Sequence, residues 1–206
     1  MELALGVRDV LLAPRCAGCG APGSWFCVAC RTQCDPVTHE GRVSIRAAGA
    51  HAGPLRAAIH RLKYGGEPGL AADLGALVAL ELARDIARGL LVDAVVPVPL
   101  HRARAATRGY DQAALLARAV AAHAGLPLRM ALHRIRASRP QVELDRAARA
   151  ANVRGAFVAG AGSLRGLRVA LVDDVATTGA TLMDAAAAAR AAGARTVRAY
   201  VVAAEE

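Results

Sequence analysis

Apolar residues in the second half of the chain follow two alternating spacings. Short runs rich in Val, Leu and Ala at 92–99, 168–175 and 196–202 are typical of strands buried in a parallel sheet. The segments between them, at 111–124 and 180–192, carry apolar residues at helical spacing. The order strand, helix, strand, helix, strand predicts an α/β fold in which helices flank a parallel sheet.

The first half of the chain is less regular. Apolar residues at helical spacing predict a short helix over 2–13, which Pro14 ends. An alternating stretch at 43–46 predicts another strand. Two helices are expected after it, one beginning near Pro54 and one over 70–86.

Composition narrows the class of protein. The 206 residues are 55% hydrophobic and only 3% aromatic, which suits a core of Leu, Val and Ala. Formal net charge is +9, and all but one of the 26 basic residues are arginine. This charge suits nucleic acid or a phosphate-rich small molecule, although an arginine-rich composition alone also explains it. Neither a secretory signal nor a membrane-spanning apolar run is recognisable, so we expect a cytoplasmic protein.

Four cysteines form two C-x2-C pairs separated by seven residues. They are Cys16, Cys19, Cys27 and Cys30. This spacing predicts tetrahedral coordination of one structural Zn²⁺, which would replace a core that so short a segment cannot build. Cys34 and His39 are spare ligands that could replace one of the four, and a redox dithiol is the alternative. We therefore divide the chain into a module at 1–41, comprising the N-terminal helix and the cysteines, and a main domain at 42–206.

The predicted strand at 168–175 runs into a cluster of polar residues. In parallel sheets, ligands lie at the carboxyl ends of the strands. Here two adjacent carboxylates precede a turn with a glycine, three threonines and the predicted start of a helix. The segment is Asp173, Asp174, Val175, Ala176, Thr177, Thr178, Gly179, Ala180 and Thr181. Hydroxyls and free N–H groups form a cradle for a phosphate, and a carboxylate pair accepts hydrogen bonds from a vicinal diol. The sequence therefore predicts a ribose 5-phosphate site.

Other interpretations of the glycines and threonines explain less. A helix-capping box accounts for the threonines but leaves the acid pair unexplained. The stretch Gly160-Ala161-Gly162 resembles part of a dinucleotide fingerprint, yet it precedes the strand instead of following it. The chain contains no Gly-Lys-Ser or Gly-Lys-Thr, so a P-loop is excluded.

Cations follow the predicted strand at 92–99. They are His101, Arg102, Arg104 and Arg108. Guanidinium groups match phosphate oxygens, so this cluster suits a pyrophosphate. Further along, the segment 134–154 holds six arginines and Pro140, which predicts a mobile loop running into a polar helix. An ordinary solvated surface helix is the alternative there.

Four ordered motifs resemble the ComF family of competence-associated proteins, whose main domain is of the type I phosphoribosyltransferase class. The motifs are Leu62-Lys63-Tyr64-Gly65, then Pro97-Val98-Pro99-Leu100 with Arg108-Gly109-Tyr110-Asp111-Gln112, then Pro140-Gln141 through Arg149 and Asn152 to Phe157, then the loop at 173–181. The resemblance covers nearly the whole chain. It implies a type I phosphoribosyltransferase-like sheet behind a zinc-ribbon-like module, with 5-phosphoribosyl-1-pyrophosphate (PRPP) and Mg²⁺ as ligands.

The resemblance also implies roles for individual residues. Asp173 and Asp174 would hold the ribose hydroxyls, and the rest of the loop would bind the 5-phosphate. The pyrophosphate would contact Lys63, Arg102, Arg104 and Arg108. The candidate catalytic residues are Asp173, Asp174, Lys63 and Arg108. For Lys63, an exposed position without function is the alternative. Asp111 stands where the family usually has asparagine, and it either caps the next helix or weakens an anion contact.

Two functions are compatible with this sequence. An enzyme would transfer the phosphoribosyl group to a nitrogen nucleophile and release Mg-pyrophosphate, with the segment 134–154 closing as a lid. No general base for the acceptor is evident. A binding module would instead hold PRPP as a ligand, while the zinc module and basic surface hold single-stranded DNA during DNA uptake. Other DNA-uptake proteins and a second copy of the chain are further candidate partners.

Overall fold

The computed structural model of the protein describes residues 14–136 and 155–205. Its helices are α1 (Val28–Arg31), α2 (Gly53–Tyr64), α3 (Leu70–Ala87), α4 (Arg102–Arg108), α5 (Gln112–Ala124) and α6 (Ala180–Ala191). Its strands are β1 (Val37–His39), β2 (Ile45–Ala50), β3 (Ala94–Pro97), β4 (Leu132–Arg134), β5 (Phe157–Ala159), β6 (Arg168–Ala176) and β7 (Thr196–Ala204). The predicted helix at 2–13 and most of the segment 134–154 lie outside the described residues. Within those residues, no helix combines the length and apolar composition that crossing a membrane requires.

A five-stranded sheet in the order β1-β2-β7-β6-β3 forms the centre of the fold, and its strand β1 comes from the segment 1–41. Strands β2, β7, β6 and β3 are parallel, and β1 is antiparallel to β2. The predicted parallel sheet is therefore confirmed, and β6 and β7 begin at the predicted residues, Arg168 and Thr196. Strand β2 extends to Ala50, four residues beyond its predicted end.

Alternate residues of the central strand β6 pack on opposite faces of the sheet. Ala170 and Val172 share a core with residues of helices α2, α3 and α5, whereas Val169 and Leu171 share a second core with residues of helix α6. All four are at most 2% exposed. A strand covered on both faces has no polar side, which explains its continuous apolar run.

Asp111 precedes helix α5 and caps it. Its Oδ1 accepts hydrogen bonds from the N–H groups of Ala113 and Ala114 at 3.0 and 3.2 Å. Its Oδ2 accepts another from the N–H of Leu100 at 2.9 Å, in the loop after β3. A carboxylate accepts at both oxygens, whereas an asparagine would turn a donor toward one of these N–H groups. The helix-capping interpretation of Asp111 is therefore confirmed.

Five short elements are not evident from the sequence pattern, namely α1, α4, β1, β4 and β5. Each of the three strands has three residues, too few for an alternating pattern to show.

Strands β4 and β5 pair as a separate antiparallel ribbon. Asp184 of helix α6 accepts hydrogen bonds from the N–H groups of Gly155, Ala156 and Phe157 at 2.7, 2.8 and 3.2 Å. The ribbon is thereby attached to the helix that follows the predicted phosphate loop.

The cysteine-rich segment packs on the main domain through Phe26. This side chain is fully buried in the same core as Ile59 and Leu62 of helix α2. Asp73 of helix α3 accepts hydrogen bonds from the N–H of Phe26 at 2.8 Å and from the guanidinium of Arg31 at 2.7 Å. The cysteine-rich segment is therefore held against helices α2 and α3.

Candidate functional site

A cavity of about 260 Å³ opens at the carboxyl ends of strands β2, β3 and β6. The carboxyl ends of parallel strands lie at the same edge of a sheet, so residues that are distant in sequence meet there. Of the predicted site residues, eight line the cavity: Lys63, Arg104, Arg108, Asp173, Asp174, Val175, Thr177 and Thr181. The structure thus brings the carboxylates, threonines and cations together around one space.

Asp174 lies on the wall of the cavity and is held by two side chains. Only 4% of the residue is exposed. The Nζ of Lys63 lies 2.7 Å from its Oδ1, and the Nε2 of Gln112 donates a hydrogen bond to its Oδ2 at 2.8 Å. A buried carboxylate is costly unless it is paired and hydrogen-bonded, and here it is both. Lys63 is therefore fixed at the site and is not a surface position without a partner.

Asp173 occupies the neighbouring position in a different electrostatic environment. Its Oδ1 accepts a hydrogen bond from the N–H of Asp174 at 2.8 Å. Burial and the adjacent Asp174 carboxylate raise the pKa of Asp173 well above its ordinary value. A cation or a hydrogen-bond donor placed beside Asp173 would favour its charged form. The pair therefore suits a ligand that carries hydroxyl groups.

The turn between β6 and α6 forms the hydroxyl-rich end of the cavity. Gly179 has φ of 70°, in the left-handed region that favours glycine, and helix α6 begins directly after it. Helix geometry leaves the first N–H groups of α6 without intrahelical acceptors. Thr177 and Thr181 line the cavity, whereas Thr178 turns its Oγ1 toward the N–H of Ala180 at 3.4 Å. Free N–H groups beside two hydroxyls match a phosphate dianion.

Three arginines form the cationic end of the cavity. They are Arg104, Arg108 and Arg134. The guanidinium of Arg108 stacks on the ring of Tyr64 with its Cζ 5.0 Å from the ring centroid. Its Nη1 is buried and has no hydrogen-bond partner among the described residues. Burial, and after it the charge of Arg104, lowers the pKa of Arg134. An unpaired buried donor among like charges indicates a site for an anion.

Five predicted residues do not line the cavity: Arg102, Ala176, Thr178, Gly179 and Ala180. Arg102 lines an adjacent cleft of about 450 Å³, which shares Pro99, Leu100 and Arg134 with the cavity. Ala176 is buried in the core beneath the loop, and Thr178 faces the backbone of its own turn. Ala176 and Thr178 therefore shape the loop, whereas Thr177 and Thr181 line the cavity.

His51, Gln112 and Arg134 line the cavity but are not among the predicted site residues. His51 follows Ala50, the last residue of β2. Because the predicted strand ends at residue 46, the sequence analysis does not place His51 at the end of a strand. Gln112 belongs to a motif quoted above, but nothing in the sequence says that it reaches Asp174. Arg134 ends the short strand β4, which the pattern does not reveal.

The predicted metal ligands converge at a second site. The Sγ atoms of Cys16, Cys19, Cys27 and Cys30 all lie within 4.8 Å of one another. Two of the Sγ–Sγ distances, Cys16 to Cys30 and Cys19 to Cys27, are 3.6 Å. Four sulfurs at about 2.3 Å from one Zn²⁺ in tetrahedral geometry lie about 3.8 Å apart, so the cluster fits this ion. Cys34 and His39 are not in the cluster.

Two of these thiols, Cys16 and Cys30, have pKa values shifted in opposite directions. Burial raises the pKa of Cys16, but backbone N–H groups, first that of Cys27, outweigh it and lower the pKa to about 6. The N–H of Cys27 lies 3.3 Å from the Cys16 Sγ. Burial, and hydrogen bonds that the Cys30 S–H donates to the neighbouring sulfurs, raise the pKa of Cys30. The segment therefore provides N–H donors to a sulfur that becomes a thiolate when a metal binds.

Comparisons with known proteins agree with this geometry. The sequence profile of the family described as "Phosphoribosyl transferase domain" matches residues 79–206. DNA utilization protein YhgH of Salmonella typhimurium is 31% identical over 189 residues, which cover 90% of this chain and 82% of that protein. Competence protein F of Haemophilus influenzae is 30% identical over 183 residues, which cover 86% of this chain and 79% of that protein. The chain therefore belongs to the phosphoribosyl transferase domain proteins and, among them, to the ComF family.

Proposed function

We propose that the cavity binds PRPP together with Mg²⁺ and that the protein transfers the phosphoribosyl group to a nitrogen nucleophile. One observation carries the proposal. A carboxylate pair, two threonines beside a helix start and a group of arginines all line a single cavity. PRPP carries the matching groups, namely a diol, a phosphate and a pyrophosphate.

The proposed contacts follow from the positions of the residues. Asp173 and Asp174 accept hydrogen bonds from the ribose hydroxyls, and Lys63 and Gln112 keep Asp174 in place. The loop at 175–181 holds the 5-phosphate through its N–H groups and through the hydroxyls that line the cavity. The pyrophosphate contacts Arg104, Arg108 and Lys63. Arg102, on the adjacent cleft, has a supporting electrostatic role.

Transfer breaks the bond between the anomeric carbon and the pyrophosphate oxygen and forms a bond from that carbon to nitrogen, and the proton that the nitrogen loses passes to solvent. In this proposal, Arg108, whose buried Nη1 has no hydrogen-bond partner among the described residues, stabilises negative charge that develops on the leaving oxygen. Mg²⁺ bound with the ligand would neutralise further charge on the pyrophosphate. The catalytic set that we propose is Asp173, Asp174, Lys63 and Arg108, with no assigned general base.

The cysteine cluster has a structural role in this proposal. Four thiolates fill the coordination sphere of Zn²⁺ and leave no position for a substrate. Phe26 and the cluster pack on helix α2, which carries Lys63 near its end. Zinc thereby supports the helix that positions a cation at the cavity. Cysteines that bind a metal and form no disulfides are typical of a reducing compartment, so we propose the cytoplasm as the location.

Calorimetric titration tests the proposed ligand. Mg-PRPP is added to the zinc-loaded chain, to a variant carrying Asp173→Asn and Asp174→Asn, and to an Asp35→Asn control, whose changed residue is exposed and outside the cavity. We expect binding by the wild type and the control, and a loss of at least about tenfold in affinity for the double variant. Equal affinities for all three proteins would refute the site. Pyrophosphate release that depends on an added nitrogen base then separates a transferase from a binding module.

A second candidate function is an association with DNA. The relatives named above are called a DNA utilization protein and a competence protein, and this chain has a formal net charge of +9. We propose that the protein acts in DNA uptake and binds single-stranded DNA through its arginines. Such binding is mainly electrostatic, so its affinity should fall steeply between low and physiological salt. Fluorescence anisotropy of a labelled oligonucleotide measures this, and an affinity independent of salt would contradict it.

A further inference from the structure

His51 is a cavity residue to which the proposed contacts assign no role. It directly follows Ala50, the last residue of β2, and its N–H donates a hydrogen bond to the carbonyl of Ala204 at 2.8 Å. Its side chain is 25% exposed and lines the cavity with Lys63 and Asp174. The imidazole therefore stands at the carboxyl end of the sheet, on the side where strands β2 and β7 end.

Charged groups from three elements face this imidazole. Lys63 and Arg56 belong to helix α2, Asp174 belongs to strand β6, and Glu205 follows strand β7 with its Oε1 4.0 Å from the His51 Nδ1. Burial, then the charge of Lys63, lowers the pKa of His51, and the two acids oppose this shift without cancelling it. In the free protein the imidazole is therefore mainly neutral near pH 7.

We propose that His51 contacts the phosphate groups of the ligand and takes up a proton when the ligand binds. This inference rests on the proposed function, since it requires a polyanion in the cavity. A neutral imidazole offers one donor, whereas the charged form offers two. Phosphate oxygens beside His51 would favour the charged form and offset the repulsion from Lys63.

Proton uptake fixes the direction of the pH dependence. Because the pKa of His51 is higher in the complex than in the free protein, the complex binds more protons between the two values. The affinity for Mg-PRPP therefore rises as the pH falls through the pKa of the complex and levels off below that of the free protein. The slope approaches about tenfold per pH unit between them.

Calorimetry in two buffers with different ionisation enthalpies measures the proton uptake directly. Mg-PRPP is titrated near pH 7 into the zinc-loaded wild type, a His51→Gln variant and a His123→Gln control. His123 is an exposed histidine of helix α5 outside the cavity. We expect the wild type and the control to take up roughly half a proton to one proton more per site than His51→Gln. The comparison between variants is needed because the ligand phosphates and Asp173 also titrate.

The outcomes separate this inference from the proposed function. Binding with the same proton uptake in the wild type and in His51→Gln would overturn the role of His51 and leave the PRPP site intact. No binding of Mg-PRPP by the wild type would overturn both. If His51→Gln does not fold, NMR titration of the His51 ring in the wild type replaces it, with and without Mg-PRPP. An unchanged pKa of His51 in the saturated protein would then refute the inference.

Discussion

Replacing Lys63 with methionine tests the pair that positions Asp174. The Lys63 Nζ lies 2.7 Å from the Asp174 Oδ1, and the two side chains are 21% and 6% exposed. Methionine keeps most of the length of the side chain and removes its charge. Asp174 then retains the hydrogen bond from Gln112 as its one remaining side-chain partner among the described residues.

The size of the effect follows from the burial of the pair. Removing one partner of a fully buried ion pair costs about 3–5 kcal/mol, because the other charge is left unpaired. Since a fifth of the lysine side chain reaches solvent, water compensates part of the loss, and we expect about 2–3 kcal/mol for Lys63→Met. For a chain of this size, that loss lowers the melting temperature by about 5–10 °C.

Urea denaturation of a double-mutant cycle provides the assay. The cycle comprises Lys63→Met, Asp174→Asn and the double variant. The neutral amide of Asn no longer needs a cation, so the double variant should regain most of the stability that Lys63→Met loses. Its affinity for Mg-PRPP should stay low, because the binding groups are still missing. A cost below about 0.5 kcal/mol for Lys63→Met, or losses that simply add in the double variant, would refute this reasoning.

Three further predictions concern other parts of the structure. Asp184→Ala removes the acceptor of three backbone N–H groups. It should lower the free energy of unfolding, measured by urea denaturation, by about 2–4 kcal/mol. A loss below about 1 kcal/mol would show that other contacts hold the β4–β5 ribbon. Cys19→Ser should abolish the zinc content measured by atomic absorption and lower the free energy of unfolding by at least about 3 kcal/mol. Cys34→Ser, outside the cluster, should keep the zinc. Retention of zinc by Cys19→Ser would contradict the assignment. The hydrogen bonds from Arg168 lower the pKa of Asp93 from 3.8 to about 2, so the stability that this pair contributes is complete above about pH 4 and is lost as the pH falls toward about 2. Arg168→Met should reduce that acid-induced loss when melting is compared near pH 6 and near pH 3, and an unchanged difference would contradict the pairing.

The sequence predicts those parts of the fold that depend on local patterns. The apolar run at 169–172 identifies the central strand because that strand is covered on both faces. Asp111 identifies the start of helix α5 because a carboxylate before a helix caps it. The C-x2-C spacing identifies the cysteine cluster because two such pairs can close around one ion. In each case the residues that cooperate are close together in the chain.

The parts that the sequence does not predict depend on contacts between distant segments. Gln112 reaches Asp174 across a separation of 62 residues, and only the packing of helix α5 on strand β6 brings them together. His51 is not predicted at the cavity because β2 ends four residues later than its alternating pattern indicates. Strand β4, which ends at Arg134, is too short to show a period and forms through pairing with β5. These residues have ordinary neighbours in sequence, so local reasoning gives them no role.

The central claim is that one cavity binds a phosphate at its threonine end and a pyrophosphate at its arginine end. The most direct measurement is a set of calorimetric titrations with ribose 5-phosphate, Mg-pyrophosphate and Mg-PRPP. They use the wild type, a variant carrying Thr177→Val and Thr181→Val, and Arg108→Gln. We expect the wild type to bind Mg-PRPP more tightly than either fragment. The threonine variant should lose mainly the binding of ribose 5-phosphate, and Arg108→Gln should lose mainly the binding of Mg-pyrophosphate. Loss of both fragments to the same extent in both variants, or no binding of Mg-PRPP to the zinc-loaded wild type, would contradict the central claim.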